Sequence, residues 1–338
     1  MPLYASVHVS PSIPWTAPNG KPGGPWSPIA CTLIHTSRHA VLVDTPITVS
    51  QTEALITWIE QTLQPGATLE YIYITHGHGD HWFGLNMLLQ KFPTARAVAT
   101  QGTIAHMQGQ IEPRAFKNMW GSRFPGQIDV KFKLAEPLPQ SGTFYLPLDG
   151  NDRGVHGGGD EGVTSQGYTF QAIEVGHTDT HSSTVLFCPH LRLVCAGDVV
   201  YGDVHQMLGE ANTHALRMEW VRAVDTVSSL SPRPEIVVPG HVKAQELCGA
   251  WHLDRTRRYL LDFDALVEGG DGDGHSAGDG LRQKQQPKNA RELVARMKEL
   301  WPTRFNDGAL IVGAINAFKV KEKEAANKAK ASGGGGKL

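Results

Sequence analysis

The chain has no run of 18 apolar residues, which excludes a membrane-spanning helix of ordinary length. It has no excess of one charge either. Thirty-one Lys and Arg stand against 33 Asp and Glu, for a net charge of −2, so no basic field exists to hold a nucleic acid through its phosphates. Cysteine is scarce. Cys31, Cys188, Cys195 and Cys248 are scattered without a Cys-x-x-Cys pair and read as buried free thiols of a reducing compartment. Residues 1–15 carry no basic stretch followed by an apolar core, so no secretory signal is read and a cytoplasmic location is expected.

What is present is enough apolar residue, 40% of 338, to bury a large core in one domain with elaborations. The chain is organised around Thr75-His-Gly-His-Gly-Asp-His81, which directly follows the apolar, β-branched run 69–74 expected as a buried strand. Four candidate metal ligands fall within six residues: His76, His78, Asp80 and His81. Gly77 and Gly79 remove side chains between them and allow φ > 0, so a tight loop can turn all four toward one or two shared points. Imidazole with carboxylate suits zinc, and iron or manganese is compatible with such a mixed site.

Along the chain, residues 1–28 read as a proline-rich extension, residues 29–320 as the main domain and residues 321–338 as a flexible tail. The runs 29–34 and 40–43 form a hairpin pattern closed by Asp44. Ser50-Gln-Thr-Glu53 reads as a capping box opening a helix, and residues 81–91 as a helix with His81 in its first turn. Residues 102–144 are the hardest to place. Segments 149–162 and 269–280 are rich in Gly and Asp and read as exposed loops. Downstream, three apolar strands each end in a glycine followed by a candidate ligand, giving His177, Asp198 and His241, and the C-terminal third reads as helical.

The stretch 76–81 resembles the His-x-His-x-Asp-His signature of the metallo-β-lactamase superfamily. That resemblance implies an α/β fold, a four-layer αββα sandwich with metals at the edge where its sheets meet. By motif position it implies His76, His78 and His177 at one metal, Asp80, His81 and His241 at a second, and Asp198 bridging. Asp44 is then expected to brace the metal loop, His181 to be structural rather than a ligand, and His205 to line the pocket. Tyr201, three residues past Asp198, resembles the tyrosine of acyl-homoserine-lactone lactonases, where the phenol reaches toward the substrate oxygen.

The expected activity is that of a dinuclear zinc hydrolase, in which a metal-bridged hydroxide opens a carbonyl bond in a small molecule and Asp80 helps the leaving group depart. A lactone is favoured, with a lactam or thioester close behind. A glyoxalase II-like thioesterase and a mononuclear-iron persulfide dioxygenase are the alternatives. The expected partner is a small molecule, not a nucleic acid or a membrane.

Overall fold

Apolar runs without strict alternation belong to strands buried on both faces, and the central strands of the two large sheets, residues 29–35, 39–43, 183–188 and 193–195, are such runs. The computed structural model describes residues 2–17, 19–148, 162–269 and 286–333. The first sheet has the strand order β1 (Tyr4–Ser10), β4 (Ile29–His35), β5 (His39–Val43), β6 (Thr68–Tyr73), β7 (Arg96–Ala99), β8 (Glu136–Pro137). Between β1 and β4, β2 (Pro14–Thr16) and β3 (Pro22–Pro25) form a separate ribbon. The second sheet runs β10 (Val163–Thr164), β11 (Gly167–Gly176), β12 (Ser183–Cys188), β13 (Leu193–Cys195), β14 (Ile236–Val238), and β9 (Thr143–Leu146) also pairs with β11.

Side chains on a strand alternate between faces, and each face here has its own core. In β5, Ala40 and Leu42 join a core with α1 (Val49–Thr62) and α2 (Leu85–Lys91), while Val41 and Val43 face the second sheet. In β12, Leu186 and Cys188 face the first sheet. Val185 and Phe187 point away from it, toward α5 (His214–Ser228), α6 (Trp251–Glu268), α7 (Ala290–Leu300) and α8 (Asp307–Gly333). The layers are therefore helix, sheet, sheet, helix. Each fully buried side chain of this size contributes about 1.5–3 kcal/mol, so the three cores are where stability resides.

Several local expectations shift. The cap of α1 is Thr48, not Ser50: its hydroxyl accepts from Gln51 N at 3.3 Å while Gln51 Oε1 accepts from Thr48 N at 3.3 Å. Glutamine closes this box as well as glutamate does. Helix α2 begins at Leu85, and His81 instead ends a 3-10 turn over Gly79–His81. Within the first 28 residues, β1 forms an edge strand of the first sheet, pairing residue for residue with β4 from Tyr4↔His35 to Ser10↔Ile29. The expected tail is helical as far as Gly333, since its Lys, Glu and Ala are strong helix formers. Residues 102–144 contribute α3 (Gln101–Gln110), α4 (Pro113–Phe116) and a π turn over Lys117–Gly121. Of the two glycine-rich segments, 149–162 and 269–280, all but Gly162 and Gly269 lie outside the described residues. Among the described residues no helix is long and apolar enough to cross a membrane.

Candidate metal centre

Strand β6 ends at Tyr73 and delivers the loop Thr75–His81 to the edge where the sheets meet. Neither Gly77 nor Gly79 has a positive φ, so left-handed freedom is not their purpose. A Cβ on Gly77 would fall 2.4 Å from the ring of His106, and one on Gly79 2.2 Å from the ring of Phe83. Both glycines are required for close approach. The same holds for Gly240, where a Cβ would sit 2.3 Å from Asp198 Oδ1.

Asp44 does what the resemblance implied. It adopts φ 59°, an uncommon value for a residue with a side chain, and its carboxylate accepts from Thr75 N at 2.9 Å and Thr75 Oγ1 at 2.8 Å. Its Oδ2 also lies 2.9 Å from His81 Nδ1. Because the Thr75 hydroxyl donates to Asp44, it accepts from His76 Nδ1 at 3.1 Å. His241 Nδ1 donates to the carbonyl of Pro28 at 2.9 Å. Each of these rings thereby turns Nε2 toward the others, the arrangement by which outer partners orient metal-binding imidazoles. His78 is oriented the other way, with Nε2 3.2 Å from Glu210 Oε1 and Nδ1 2.8 Å from Asp179 Oδ2.

The atoms gather in three overlapping groups, each within 4.8 Å: His76, His78 and Asp179; His76, His81 and Asp198; Asp80, His81 and His241. Asp198 lies between two of the imidazoles, Oδ1 3.2 Å from His81 Nε2 and Oδ2 3.2 Å from His241 Nε2. His76 Nε2, His81 Nε2, Asp179 Oδ2 and Asp198 Oδ1 are buried without a hydrogen bond of acceptable geometry. Burial, with Asp198 nearby, pushes Asp179 up to about 6 despite the pull of His78. Burial opposes a charge on His81, yet Asp198 and Asp44 hold its pKa well above the ordinary range. Orphaned donors and crowded buried carboxylates are what a cation would satisfy, and the donor set fits a metal site.

His177, expected in the set, lies outside these three groups, and its Nε2 is buried without a hydrogen bond among the described residues. Its backbone N–H donates to Glu219 Oε1 at 3.0 Å, and its half-buried ring stays outside. A turn is closed by Thr178 N to Thr180 O at 2.8 Å and by Thr178 Oγ1 to Ser183 Oγ at 2.8 Å, and it aims Asp179 inward instead. His181 packs on the ring of His106, with centroids 4.2 Å apart. Asp179 was visible in the sequence as a carboxylate two positions past His177. Glu210 carried no motif signal, and its role appears only through its contacts with His78 and with Thr180 Oγ1, the latter at 2.8 Å.

Tyr201 is 1% exposed, and its hydroxyl donates to Asp198 Oδ2 at 2.5 Å. Burial and then Asp198 raise its pKa well above 10. His205 places Nδ1 2.8 Å from the hydroxyl of Tyr259 and lines the same cavity. That cavity, about 280 Å³, has the cluster as its floor and Trp15, Trp26, Met119, Trp120 and Val312 among its walls. Trp26 Nε1 donates to Asp80 Oδ2 at 2.8 Å, a contact with no precursor in the sequence pattern.

Residues 24–241 match the family model described as the metallo-beta-lactamase superfamily. The uncharacterized protein YobT of Bacillus subtilis (strain 168) is 30% identical over 87 residues, 26% of this chain and 36% of that protein. The metallo-beta-lactamase type 2 of Bacteroides fragilis is 23% identical over 209 residues, 62% of this chain and 67% of that one. The chain thus spans about a third of the first relative's length and two thirds of the second's. A solved metallo-beta-lactamase family protein from Thermus thermophilus superposes with TM-score 0.55 at 17% identity, over 94% of each chain, a likeness that speaks for the fold. The family match covers well over half of the residues and reaches from the ribbon to the last histidine of the cluster; the chain belongs to the metallo-beta-lactamase superfamily, whose members are typically metal-dependent hydrolases.

Proposed function

We propose that the protein is a dinuclear zinc hydrolase that opens a carbonyl bond in a small molecule, a lactone before a lactam or a thioester. The observation that carries this reading is the position of Asp198, which groups with His76 and His81 while its Oδ2 lies 3.2 Å from His241 Nε2, so its carboxylate meets imidazoles of both sets. In this reading His76, His78 and Asp179 would hold one ion and Asp80, His81 and His241 the other, with Asp198 near both sets. A metal pair so held supplies an activated water and polarises the substrate carbonyl.

The remaining chemistry falls to side chains that orient or carry protons. Asp44 and the Pro28 carbonyl fix His81 and His241 through Nδ1, and Glu210 fixes His78 through Nε2. Asp80 lines the cavity, where its carboxylate would take a proton from the attacking water and hand it to the departing oxygen. Tyr201, its hydroxyl given to Asp198, holds that carboxylate in place. Against a glutathione thioester stands the scarcity of cations. Arg123 is the one Lys or Arg among the described residues lining the cavity, and its Nη1 is already bound to the carbonyls of Met119 and Asn118, at 2.6 and 3.2 Å.

The test is metal content per chain after purification without chelator, with acid release from lactones, lactams and thioesters followed on the same preparation. About two zinc ions per chain with turnover of one class supports the reading. One iron, no acid release and oxygen uptake with a persulfide would overturn it.

A further inference from the structure

We propose that the cavity above the cluster takes a neutral aromatic acyl compound of about two fused rings, a benzo-fused lactone or lactam, in preference to an aliphatic or an anionic one. This rests on the hydrolase reading above and narrows its substrate.

The wall is aromatic and pinned. Trp26 meets Trp15 edge-on with centroids 6.3 Å apart at 84°, and Trp120 at 5.8 Å and 64°. Rings set at steep angles offer a planar guest both edges and faces, the arrangements aromatic pairs prefer. The indole N–H of Trp26 is fixed on Asp80 Oδ2, so the wall begins beside the groups that would act on the carbonyl. Trp15 carries the guanidinium of Arg123 over its ring at 5.6 Å, and the ribbon is tied down by Thr16 N donating to the Arg123 carbonyl at 2.9 Å.

Size and charge narrow the guest further. An apolar cavity of about 150 Å³ holds one benzene ring, so about 280 Å³ accommodates two rings. An anionic tail has nowhere to go. Arg123 Nη1 is engaged by the carbonyls of Met119 and Asn118, and Glu210 adds a carboxylate to the cavity beyond those that would hold the ions. Hydrolysis of a benzo-fused ring adds one water. The acyl carbon gains the water oxygen, the ring C–O or C–N bond breaks, and the phenol or aniline so released takes up a proton, leaving a carboxylic acid.

The experiment uses isothermal calorimetry on the full chain, metal-free and zinc-loaded, with dihydrocoumarin, γ-butyrolactone and the anion 3-(2-hydroxyphenyl)propanoate as probes. On metal-free protein dihydrocoumarin is expected to bind at least about tenfold more tightly than either of the others. Trp15→Ala, at a half-buried position, is expected to weaken it about tenfold, and Val312→Phe, which fills the cavity from α8, to abolish binding, with zinc content unchanged in both. Equal binding of γ-butyrolactone or of the anion, or full binding by both variants, overturns the proposal. The expected order of binding with no acid release by zinc-loaded protein leaves the cavity assignment standing and sinks the hydrolase reading. Acid release at equal kcat/KM from γ-butyrolactone and dihydrocoumarin does the reverse.

Discussion

The indole N–H of Trp26 donates to Asp80 Oδ2 at 2.8 Å, joining residues 54 positions apart and tying the N-terminal ribbon to the metal loop. A hydrogen bond to a charged group is worth about 1.5–3 kcal/mol. Trp26→Phe keeps an aromatic ring in the wall and removes only the donor and some volume. Urea unfolding is expected to show a loss of roughly 1–3 kcal/mol, and chelator competition a weaker hold on the ion next to Asp80. Unchanged zinc affinity would show that Asp80 is held without the indole.

Asp179 and His177 separate in a count of bound metal. Asp179→Ala removes a fully buried oxygen from the group with His76 and His78, so metal per chain is expected to fall by about one. His177→Ala removes a half-buried ring outside every group and is expected to keep the full complement, with a stability change within about 1 kcal/mol. The reverse result would return His177 to the centre and require the Thr178–Thr180 turn to open.

Tyr201→Phe leaves Asp198 Oδ2 without its phenol donor. If the phenol acts by holding the carboxylate, zinc affinity and kcat/KM fall together, each by about 10–100-fold, the usual cost of losing such an outer partner. A fall in kcat at unchanged zinc affinity would instead place the hydroxyl on the substrate. Titrating zinc against a competing chelator alongside the kinetics separates the two.

The metal loop was legible because its candidate ligands are neighbours in sequence, delivered by one strand, and the same logic reached Asp198 and His241 at later strand ends. Asp44 was legible only through the resemblance. The choice between His177 and Asp179 was not, since it depends on how the Thr178–Thr180 turn closes through Ser183, a contact between side chains rather than a pattern. For Gly77 and Gly79 the absence of a side chain was legible as a need, whereas φ > 0 is not used, and what the space is kept for, His106 and Phe83, is tertiary information. Residues 1–28 read only as a proline-rich extension, yet β1 pairs along an edge of the first sheet and Trp26 reaches the cluster, neither of which composition reports.

His205 gives the fold a pH dependence distinct from that of the cluster. Its side chain is 1% exposed, and burial, then the nearby Arg304, pushes its pKa down to about 4. The groups around it are the Tyr259 hydroxyl at 2.8 Å, Asp307 Oδ1 at 3.8 Å, Arg304 stacked on Tyr259, and, farther away, Lys298 and Asp203. The unfolded chain takes up this proton near pH 6.5, whereas the folded one resists until about pH 4. Its contribution is therefore complete above about pH 6.5 and is lost as pH falls through that window, by about 2 kcal/mol at pH 5 and roughly 3 kcal/mol at the limit. Urea unfolding at pH 7 and pH 5 checks this. His205→Asn cannot be protonated, and its stability is expected to fall between the two values by about 2 kcal/mol less than that of the wild type. Equal falls in the two proteins would mean that the ring is protonated in the folded state, with Asp307 swung in to pair with it.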